Sequence, residues 1–267
     1  MRFGVLASPD SWYLKDLRRA AAGRHDVVGL SFADIRASLG GPLGRTAGAA
    51  SSAFVEQGGV RSVEAARDWS TFDAIAVRTM PPGSLEQVVF RMDVLGRFES
   101  AGVVVVNPAR SVEAAVDKYL TSAKLAAVGL DSPRTIVCQT PDDALEAFEQ
   151  LGRDVVLKPL FGSEGRGIVR LNDPDLALRA FKLLAQLGAV LYLQEYVEHE
   201  GYDLRLLVVG DEVLGMRRRN ELDWRTNVSR GAQAEPFVPD ERLIEMARRA
   251  TDAVGAWIAG VDLLPAR

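Results

Sequence analysis

The chain has 267 residues, of which 48% are hydrophobic, enough for a substantial core in two compact units or one large one. Its formal net charge of −4 argues against sequence-independent binding to nucleic acid, and its single cysteine, Cys138, excludes an internal disulfide and a cysteine-based metal cluster. The first residues lack a signal-peptide pattern, and no stretch approaches the roughly 20 apolar residues of a membrane helix. We therefore expect a cytoplasmic protein with no membrane partner.

The first hundred residues alternate strand-like and helix-like segments. Apolar runs at 3–6, 27–30, 74–77 and 103–106 are separated by helical patterns at 12–22 and 85–101. This alternation is typical of a parallel sheet with covering helices. We therefore predict an N-terminal α/β domain over residues 1–110.

The remaining residues indicate an α+β arrangement. Its predicted elements are a helix at 111–128, a strand at 134–138, a helix at 142–151, a hairpin at 155–171 and a helix at 174–187. They continue with an antiparallel sheet of strands at 190–197, 204–209 and 213–218, a helix at 240–258 and a last strand at 261–264. We predict a central lid subdomain over 111–189 and a C-terminal subdomain over 190–267.

Lys158 stands at the end of the apolar strand 155–157, directly before a glycine-rich segment. Gly162, Gly165 and Gly167 fall at the predicted hairpin tip, where missing Cβ atoms let backbone N–H groups approach a ligand. Such N–H groups form an anion-binding concavity, and the Lys158 ammonium would add the charge that phosphate oxygens need. A polyphosphate site is one interpretation, and a flexible surface hairpin is the other.

A second cluster ends the strand at 190–197. Gln194, Glu195 and Tyr196 lie at a strand end whose backbone groups could read an adenine edge. Asp203 follows eight residues after Glu195 and could bond a ribose hydroxyl, as acidic residues do in other nucleotide sites. The alternative is an ordinary solvated strand end.

Charged residues also mark the last two strands. The run 217–219 is three arginines, whose guanidinium groups suit phosphate and carboxylate. Because neighbouring side chains of a strand point to opposite faces, Arg218 cannot share a face with the other two, and at least one of the three is expected to be a surface charge. Asp262 is a carboxylate in an apolar strand, which predicts a metal or a basic partner.

In this order, the segments resemble the ATP-grasp superfamily, and most of all its RimK-type α-L-glutamate ligases, from about residue 100 to the end. The matching segments are Asp117-Lys118, Val156-Leu157-Lys158-Pro159 with Gly162 to Gly167, Gln194-Glu195-Tyr196, Asp203-Leu204-Arg205, Trp224-Arg225-Thr226-Asn227 to Gly231, and Gly260-Val261-Asp262-Leu263-Leu264. The resemblance implies an α/β (α+β) chain with an ATP-grasp fold preceded by a parallel-sheet N-terminal domain.

The resemblance also implies a set of site residues. Those implied to bind ATP are Lys118, Lys158, Gly162, Ser163, Gly165, Gly167, Gln194, Glu195, Tyr196, Asp203, Arg225 and Asn227. Those implied to act in catalysis are Lys158, Arg205 and Arg218. Asp262 is implied to bind Mg²⁺, with Mn²⁺ as a second possible metal.

The activity implied by the resemblance is ATP-dependent ligation of a carboxylate to an amine. An acceptor carboxylate takes the γ-phosphate of ATP, and the amino group of glutamate or a similar amino acid then displaces phosphate. The partners would be a small-molecule or peptide acceptor and an amino acid, with oligomerisation left open. Two alternatives stand beside this one: a nucleotide-binding protein without ligase activity, and an ATP-grasp ligase of amino-acid or glutathione-like biosynthesis.

One departure from the family pattern concerns the metal. Family members continue past the aspartate strand into a strand with Glu-x-Asn, whose two side chains complete the magnesium site. The sequence here stops at Arg267, so Asp262 is the one metal ligand of that pattern that it contains. We expect either that a C-terminal piece is absent from this sequence or that metal binding is weakened.

Overall fold

The computed structural model describes residues 1–8, 10–37, 53–55, 67–68, 71–162 and 165–266. The chain divides into two compact units, Met1–Glu113 and Ala114–Arg267. In the described ranges, no helix has both the length and the apolar character needed to cross a membrane.

Unit 1 contains a four-stranded parallel sheet, as the alternating pattern predicts. The elements up to the end of this unit are β1 Arg2–Leu6, α1 Trp12–Ala21, β2 Asp26–Leu30, β3 Ile35–Ala37, β4 Ala53–Val55, β5 Arg67–Asp68, β6 Ala74–Val77, α2 Leu85–Ser100, β7 Val104–Val106 and α3 Ala109–Val116. The parallel sheet has the strand order β2-β1-β6-β7, and β3, β4 and β5 form a separate antiparallel sheet. The buried residues of unit 1 include Leu6 of β1, Ile75 of β6 and Leu95 of α2.

The first sheet of unit 2 is antiparallel, with the strand order β10-β9-β11-β8. Its elements are α4 Lys118–Ala127, β8 Thr135–Cys138, α5 Pro141–Gln150, β9 Val155–Lys158, β10 Val169–Leu171, α6 Pro174–Gln186 and β11 Leu191–Glu195. Thr140 and Asp173 cap α5 and α6, and each helix then begins with proline, which needs no N–H partner at that position. Both helices pack on one face of the sheet around Phe148 and Phe181, so the opposite face is left for polar side chains.

The second sheet of unit 2 is also antiparallel, with the strand order β14-β13-β12-β15. Its elements are β12 Tyr202–Val209, β13 Glu212–Arg219, β14 Gln233–Phe237, α7 Glu241–Val254 and β15 Ile258–Leu263. Helix α7 packs Ala247 against Leu206 and Val208, and the residues that alternate with these on β12 point to the other face.

Several predicted boundaries are wrong. The helix predicted at 111–128 is two helices, because the Asp117 side chain caps a new helix at Leu120 N. The helix predicted at 240–258 ends at Val254, where Gly255 adopts a left-handed conformation and β15 begins soon after. Strand β14 was not predicted, since its polar and proline-containing sequence lacks strand periodicity.

Strand β11 does not join β12 and β13 in one sheet, contrary to the prediction. It lies between β9 and β8 instead, with Tyr192 opposite Lys158 and Gln194 opposite Thr135. The predicted subdomain boundary between residues 189 and 190 therefore falls inside this sheet. Turn signals delimit a strand, but its neighbours are chosen by packing over long sequence separations.

Candidate active site

Unit 2 contains a cavity of about 630 Å³ that is lined by both of its sheets. Its size lies within the usual range for small-molecule sites. Nine of the predicted site residues line it: Lys158, Gln194, Glu195, Tyr196, Asp203, Arg218, Arg225, Asn227 and Asp262. The fold thus brings together, in one cavity, side chains from segments more than one hundred residues apart.

Lys158 ends β9 and forms part of the first wall of the cavity. Its Nζ donates a hydrogen bond to Gln194 Oε1 at 2.5 Å, and Gln194 Nε2 donates to Thr135 Oγ1 at 2.9 Å. Burial, and after it the charge of Lys118, lower the pKa of Lys158 to about 8. In the part of the chain that the structure describes, this ammonium has no carboxylate partner, so an anionic ligand would relieve its cost of burial.

Lys118 lies in the first turn of α4, directly after the capping residue Asp117. Its Nζ donates to the carbonyl oxygen of Gly162 at 2.8 Å and to that of Leu160 at 3.4 Å. Burial also lowers the pKa of Lys118. The two ammonium groups lie beside the glycine-rich segment and form an electropositive region suited to phosphate oxygens.

Gly165, in the glycine-rich segment, packs against Asn227. A Cβ atom on Gly165 would lie 2.5 Å from Asn227 Oδ1, and Gly165 has a φ of +68°. A side chain at Gly165 is therefore disfavoured by backbone conformation and would displace the Asn227 side chain. Gly162 and Gly167 also have positive φ values, whereas the predicted site residue Ser163 lies outside the described residues.

The carboxylate of Glu195 is engaged by Arg134 and is not free to bind a ligand. Its carboxylate accepts hydrogen bonds from the backbone N–H of Arg134 at 2.8 Å and from Arg134 Nε at 2.7 Å. These two bonds lower the pKa of Glu195. The adjacent Tyr196 ring lies 3.4 Å under the guanidinium of Arg170, which forms a bidentate pair with Asp154. Two arginines, Arg134 at Glu195 and Arg170 at Tyr196, therefore hold the end of β11.

The second wall of the cavity is built around Arg218, whose side chain is only 4% exposed. Its Nε and Nη2 donate to the two oxygens of Asp203 at 2.7 and 2.5 Å. Thr226 Oγ1 donates to the same carboxylate at 2.7 Å. Asp203 and Arg218 are directly opposite each other on β12 and β13, so the strand register creates this buried pair. Because both oxygens of Asp203 contact Arg218 or Thr226, its geometry supports orientation of Arg218 more directly than contact with a ribose.

Asp262 connects Arg218 to a second arginine. Its Oδ1 lies 3.0 Å from Arg218 Nη2 and accepts from Arg205 Nε at 2.8 Å, while Oδ2 accepts from Arg205 Nη2 at 3.0 Å. Arg205 and Asp262 are also a directly opposed pair, on β12 and β15. The predicted basic partner of Asp262 is therefore present, and the four side chains together are neutral.

The remaining arginines of the predicted clusters have local partners. Arg225 forms a bidentate pair with Asp223, with the shortest distance 2.6 Å. Arg217 pairs with Glu235 on the other face of β13, and Arg219 is exposed, which confirms the expectation that at least one of the three is a surface charge.

Comparison with protein families assigns a family to the part of the chain that forms the cavity. A family model described as the RimK-like ATP-grasp domain matches residues 115–267, which is more than half of the chain. The chain belongs to the RimK-like ATP-grasp family. The resemblance inferred from the sequence is thereby confirmed.

Curated relatives of this RimK-like chain include archaeal ligases. The tetrahydromethanopterin:alpha-L-glutamate ligase of Methanosarcina acetivorans is 36% identical over 209 residues, which are 73% of this chain and 64% of the relative. The alpha-aminoadipate–LysW ligase LysX of Sulfolobus acidocaldarius is 33% identical over 171 residues, or 62% of each protein. The chain thus spans slightly less than two thirds of the length of these relatives.

Solved structures confirm the predicted ATP-grasp fold. A structure of the ATP-grasp ligase PsnB complexed with minimal precursor, Mg and ADP matches 99% of this chain and 84% of its own, with a TM-score of 0.69 and 22% sequence identity. At this identity the likeness concerns the fold alone.

The residues of this ATP-grasp chain fit a nucleotide with an accompanying metal. The two ammonium groups and the tight packing of Gly165 suit a polyphosphate. In the described ranges, no group of three His, Cys, Asp or Glu side chains is arranged to hold a metal ion. Mg²⁺, however, is commonly bound by one or two carboxylates together with substrate phosphates and water. Asp262, with a half-exposed side chain in the cavity, suits a metal that arrives with its nucleotide.

Two threonines that contact predicted site residues of this ATP-grasp chain, Thr226 with Asp203 and Thr135 with Gln194, were not predicted. Thr226 lies between the predicted site residues Arg225 and Asn227, and this position was a usable signal. Thr135 is a single hydroxyl on a short strand, and no local pattern distinguishes it. Its contact with Gln194 joins residues 59 positions apart, which only strand pairing reveals.

Proposed function

We propose that this protein is an ATP-dependent carboxylate–amine ligase. It adds glutamate, or a similar amino acid, to a carboxylate acceptor through an acyl-phosphate intermediate. The observation that carries the proposal is the arrangement of the cavity in a RimK-like ATP-grasp domain. On one wall, the Lys158 ammonium has no carboxylate partner among the described residues, and on the other, Arg218 is paired with Asp203 and Asp262.

The first step transfers a phosphoryl group. An oxygen of the acceptor carboxylate attacks the γ-phosphorus, the bond to the β–γ bridging oxygen breaks, and ADP leaves. Lys158 and Lys118 neutralise phosphate charge, and Arg218 stabilises charge on the transferred group while Asp203 holds its guanidinium in place. Mg²⁺, with Asp262 as its protein carboxylate, would neutralise further phosphate charge when bound.

The second step forms the amide. The amino nitrogen of glutamate attacks the acyl carbon, the bond from that carbon to the phosphate oxygen breaks, and the nitrogen loses its proton as inorganic phosphate leaves. In this proposal Arg205 and Arg218 remain beside the phosphate and stabilise its charge as it departs. A cavity that excludes water would protect the acyl phosphate from hydrolysis.

The proposed acceptor is a small molecule or a peptide or protein that carries a carboxylate, and the names of the relatives support both classes. Tetrahydromethanopterin and LysW, which appear in the names of the two archaeal ligases, represent a small-molecule acceptor and a protein acceptor. Use of Mn²⁺, cytoplasmic localisation, oligomerisation and the division of residues 111–267 into two subdomains remain predictions of the sequence.

The test measures ADP release and product mass. The protein is incubated with ATP, Mg²⁺, glutamate and each of a panel of acceptor acids, and each component is then omitted in turn. ADP release that requires both the acceptor and glutamate, with one glutamyl residue added to the acceptor, supports the ligase. Lys158→Met should abolish it, whereas Lys182→Met, which changes an exposed lysine of α6, should not.

A nucleotide-binding protein without ligase activity is the second candidate. It is favoured by one observation, that Asp262 is engaged by two arginines and is not accompanied by two further metal ligands in the described ranges. Calorimetric titration with a non-hydrolysable ATP analogue separates the two. Binding strengthened by Mg²⁺ supports the ligase, whereas binding indifferent to Mg²⁺, without acceptor-dependent ADP release, supports the alternative.

A further inference from the structure

A chain of three hydrogen bonds runs from the backbone to the Lys158 ammonium. Thr135 Oγ1 donates to the carbonyl oxygen of Pro133 at 2.9 Å, Gln194 Nε2 donates to Thr135 Oγ1 at 2.9 Å, and Lys158 Nζ donates to Gln194 Oε1 at 2.5 Å. Thr135 and Gln194 are directly opposed on β8 and β11, so the strand register places the two side chains together.

The chemistry at both ends fixes the direction of every bond. The carbonyl of Pro133 can only accept, so it takes the single hydroxyl proton of Thr135. The Thr135 oxygen must then accept from the NH₂ group of Gln194, which turns the amide oxygen toward Lys158. The ammonium of Lys158 can only donate, so this is also the orientation that it requires.

We infer that Thr135 is a positioning residue for nucleotide binding, because it locks the amide of Gln194 in the orientation whose oxygen accepts from Lys158. The inference rests on the proposed function in one respect, that Lys158 meets a nucleotide. Without the Thr135 hydroxyl, the NH₂ group of the amide loses its acceptor and Lys158 alone orients the amide, so a rotated state with the NH₂ group toward the ammonium becomes more populated. In the rotated state two donors face each other, so the charged form of Lys158 receives less stabilisation from this hydrogen bond.

The charge on Lys158 depends on this oxygen because other neighbours provide little compensation. The positive charge of Lys118, the first residue of α4, disfavours the charged form of Lys158. Tyr192 lies opposite Lys158 on β11, and its hydroxyl contacts Ser122 Oγ at 2.9 Å.

The charged groups of the other cavity wall are already paired with one another. Arg218 contacts Asp203 and Asp262, and Asp262 also contacts Arg205. The amide oxygen of Gln194 is therefore the acceptor that the described residues provide for Lys158.

The first test is a pH titration of the lysine side chains by ¹³C NMR in the full-length protein without nucleotide. The sequence has five lysines, so the Lys158 resonance can be assigned by its absence in Lys158→Arg. Thr135→Val removes the hydroxyl while keeping a β-branched shape, and we expect the Lys158 midpoint to fall by about one pH unit. Thr135→Ser keeps the hydroxyl and should restore the wild-type midpoint.

A matched control removes a buried threonine hydroxyl elsewhere. Thr251 Oγ1 donates to the carbonyl of Ala247 at 2.8 Å within α7, so Thr251→Val loses one hydrogen bond of similar kind. It should leave the Lys158 midpoint unchanged. A Thr135→Val midpoint equal to wild type, or an equal shift in Thr251→Val, would overturn the inference.

A second variant keeps the inference testable if Thr135→Val folds poorly. Gln194→Met removes the accepting oxygen directly and should lower the Lys158 midpoint to a similar extent. Adding Thr135→Val to Gln194→Met should then change nothing further, because the two residues act through one hydrogen bond to Lys158. A further shift in the double variant would contradict the proposed route.

Nucleotide affinity is the functional measurement. At pH 8, Thr135→Val should bind a non-hydrolysable ATP analogue several-fold more weakly than wild type, whereas at pH 6.5 the two should agree closely, since Lys158 is protonated in both. An equal loss at both pH values would contradict a role through the Lys158 charge. Failure of the wild type to bind nucleotide would overturn the proposed function but leave the lysine titration fully interpretable.

Discussion

The two walls of the cavity hold buried cations in opposite ways. On the first wall, Lys158 contacts a neutral amide, and burial, together with the charge of Lys118, lowers its pKa to about 8. On the second wall, Arg218 contacts the carboxylates of Asp203 and Asp262. The first wall therefore has positive charge available for a ligand, whereas the second is neutral before any ligand arrives. We propose that charge on the first wall serves binding and that pairing on the second wall fixes the geometry of Arg218.

The largest expected effect is on the second wall. Asp203→Ala leaves Arg218 buried with Asp262 as its one remaining carboxylate partner among the described residues, so we expect the free energy of unfolding to fall by about 3 kcal/mol. Denaturant unfolding measures the change. Asp211→Asn, at an exposed turn residue, is the control and should remain within about 0.5 kcal/mol of wild type. If Asp203→Ala were as stable as its control, the second wall would not depend on this pair.

Removing a charged side chain from the first wall should weaken nucleotide binding without lowering the free energy of unfolding. Lys158→Met removes a half-buried charge that has no carboxylate partner within the described part of the chain, so the free energy of unfolding should not decrease. Nucleotide affinity should fall by about 10- to 100-fold, as expected for loss of a charged hydrogen bond to phosphate. Calorimetry with a non-hydrolysable ATP analogue measures it, with Lys182→Met as the control. If the Lys158→Met protein were destabilised but bound nucleotide normally, Lys158 would serve stability and not binding, which would contradict the proposed difference between the walls.

The pH dependence of nucleotide affinity should follow the first wall. The folded-state pKa of Lys158 is below its ordinary value of 10.5, so the ammonium is present below about pH 8 and is lost as the pH rises through that value. Affinity should be nearly constant from pH 6 to 7.5 and then fall by up to about tenfold per pH unit. Lys158→Arg, whose guanidinium keeps its proton, should show a flatter profile. Identical profiles for the two proteins would assign the titration to another group.

The smallest expected effect concerns the contact of the glycine-rich segment with Asn227. Gly165→Ala places a Cβ 2.5 Å from Asn227 Oδ1 and strains a residue with φ of +68°. Gly188→Ala is a matched control, because Gly188 has φ of +71° and no atom near the added Cβ. Both should lose about 1 kcal/mol of stability from the backbone, and only Gly165→Ala should also weaken nucleotide binding by a few fold. Equal affinities in the two variants would show that this contact does not shape the site.

Much of the architecture follows from local sequence. The parallel sheet of unit 1 was predicted from alternating patterns, and the hairpin of β9 and β10 from an apolar strand followed by glycines. Local signals failed where two rules competed. Asp117 lies inside a helical pattern but caps a new helix, and Pro236 lies in an edge strand that propensity does not favour.

The sequence by itself determined the residue types of the candidate site and the order in which they occur, and this order was enough to indicate the ATP-grasp family. Only the tertiary structure decided which side chains meet. Asp203 with Arg218, Arg205 with Asp262, and Thr135 with Gln194 are each directly opposed residues of neighbouring strands. A shift of one residue in any of these registers would turn the side chains to opposite faces. Register depends on packing across the whole sheet, so the partners of each charge cannot be derived from local patterns.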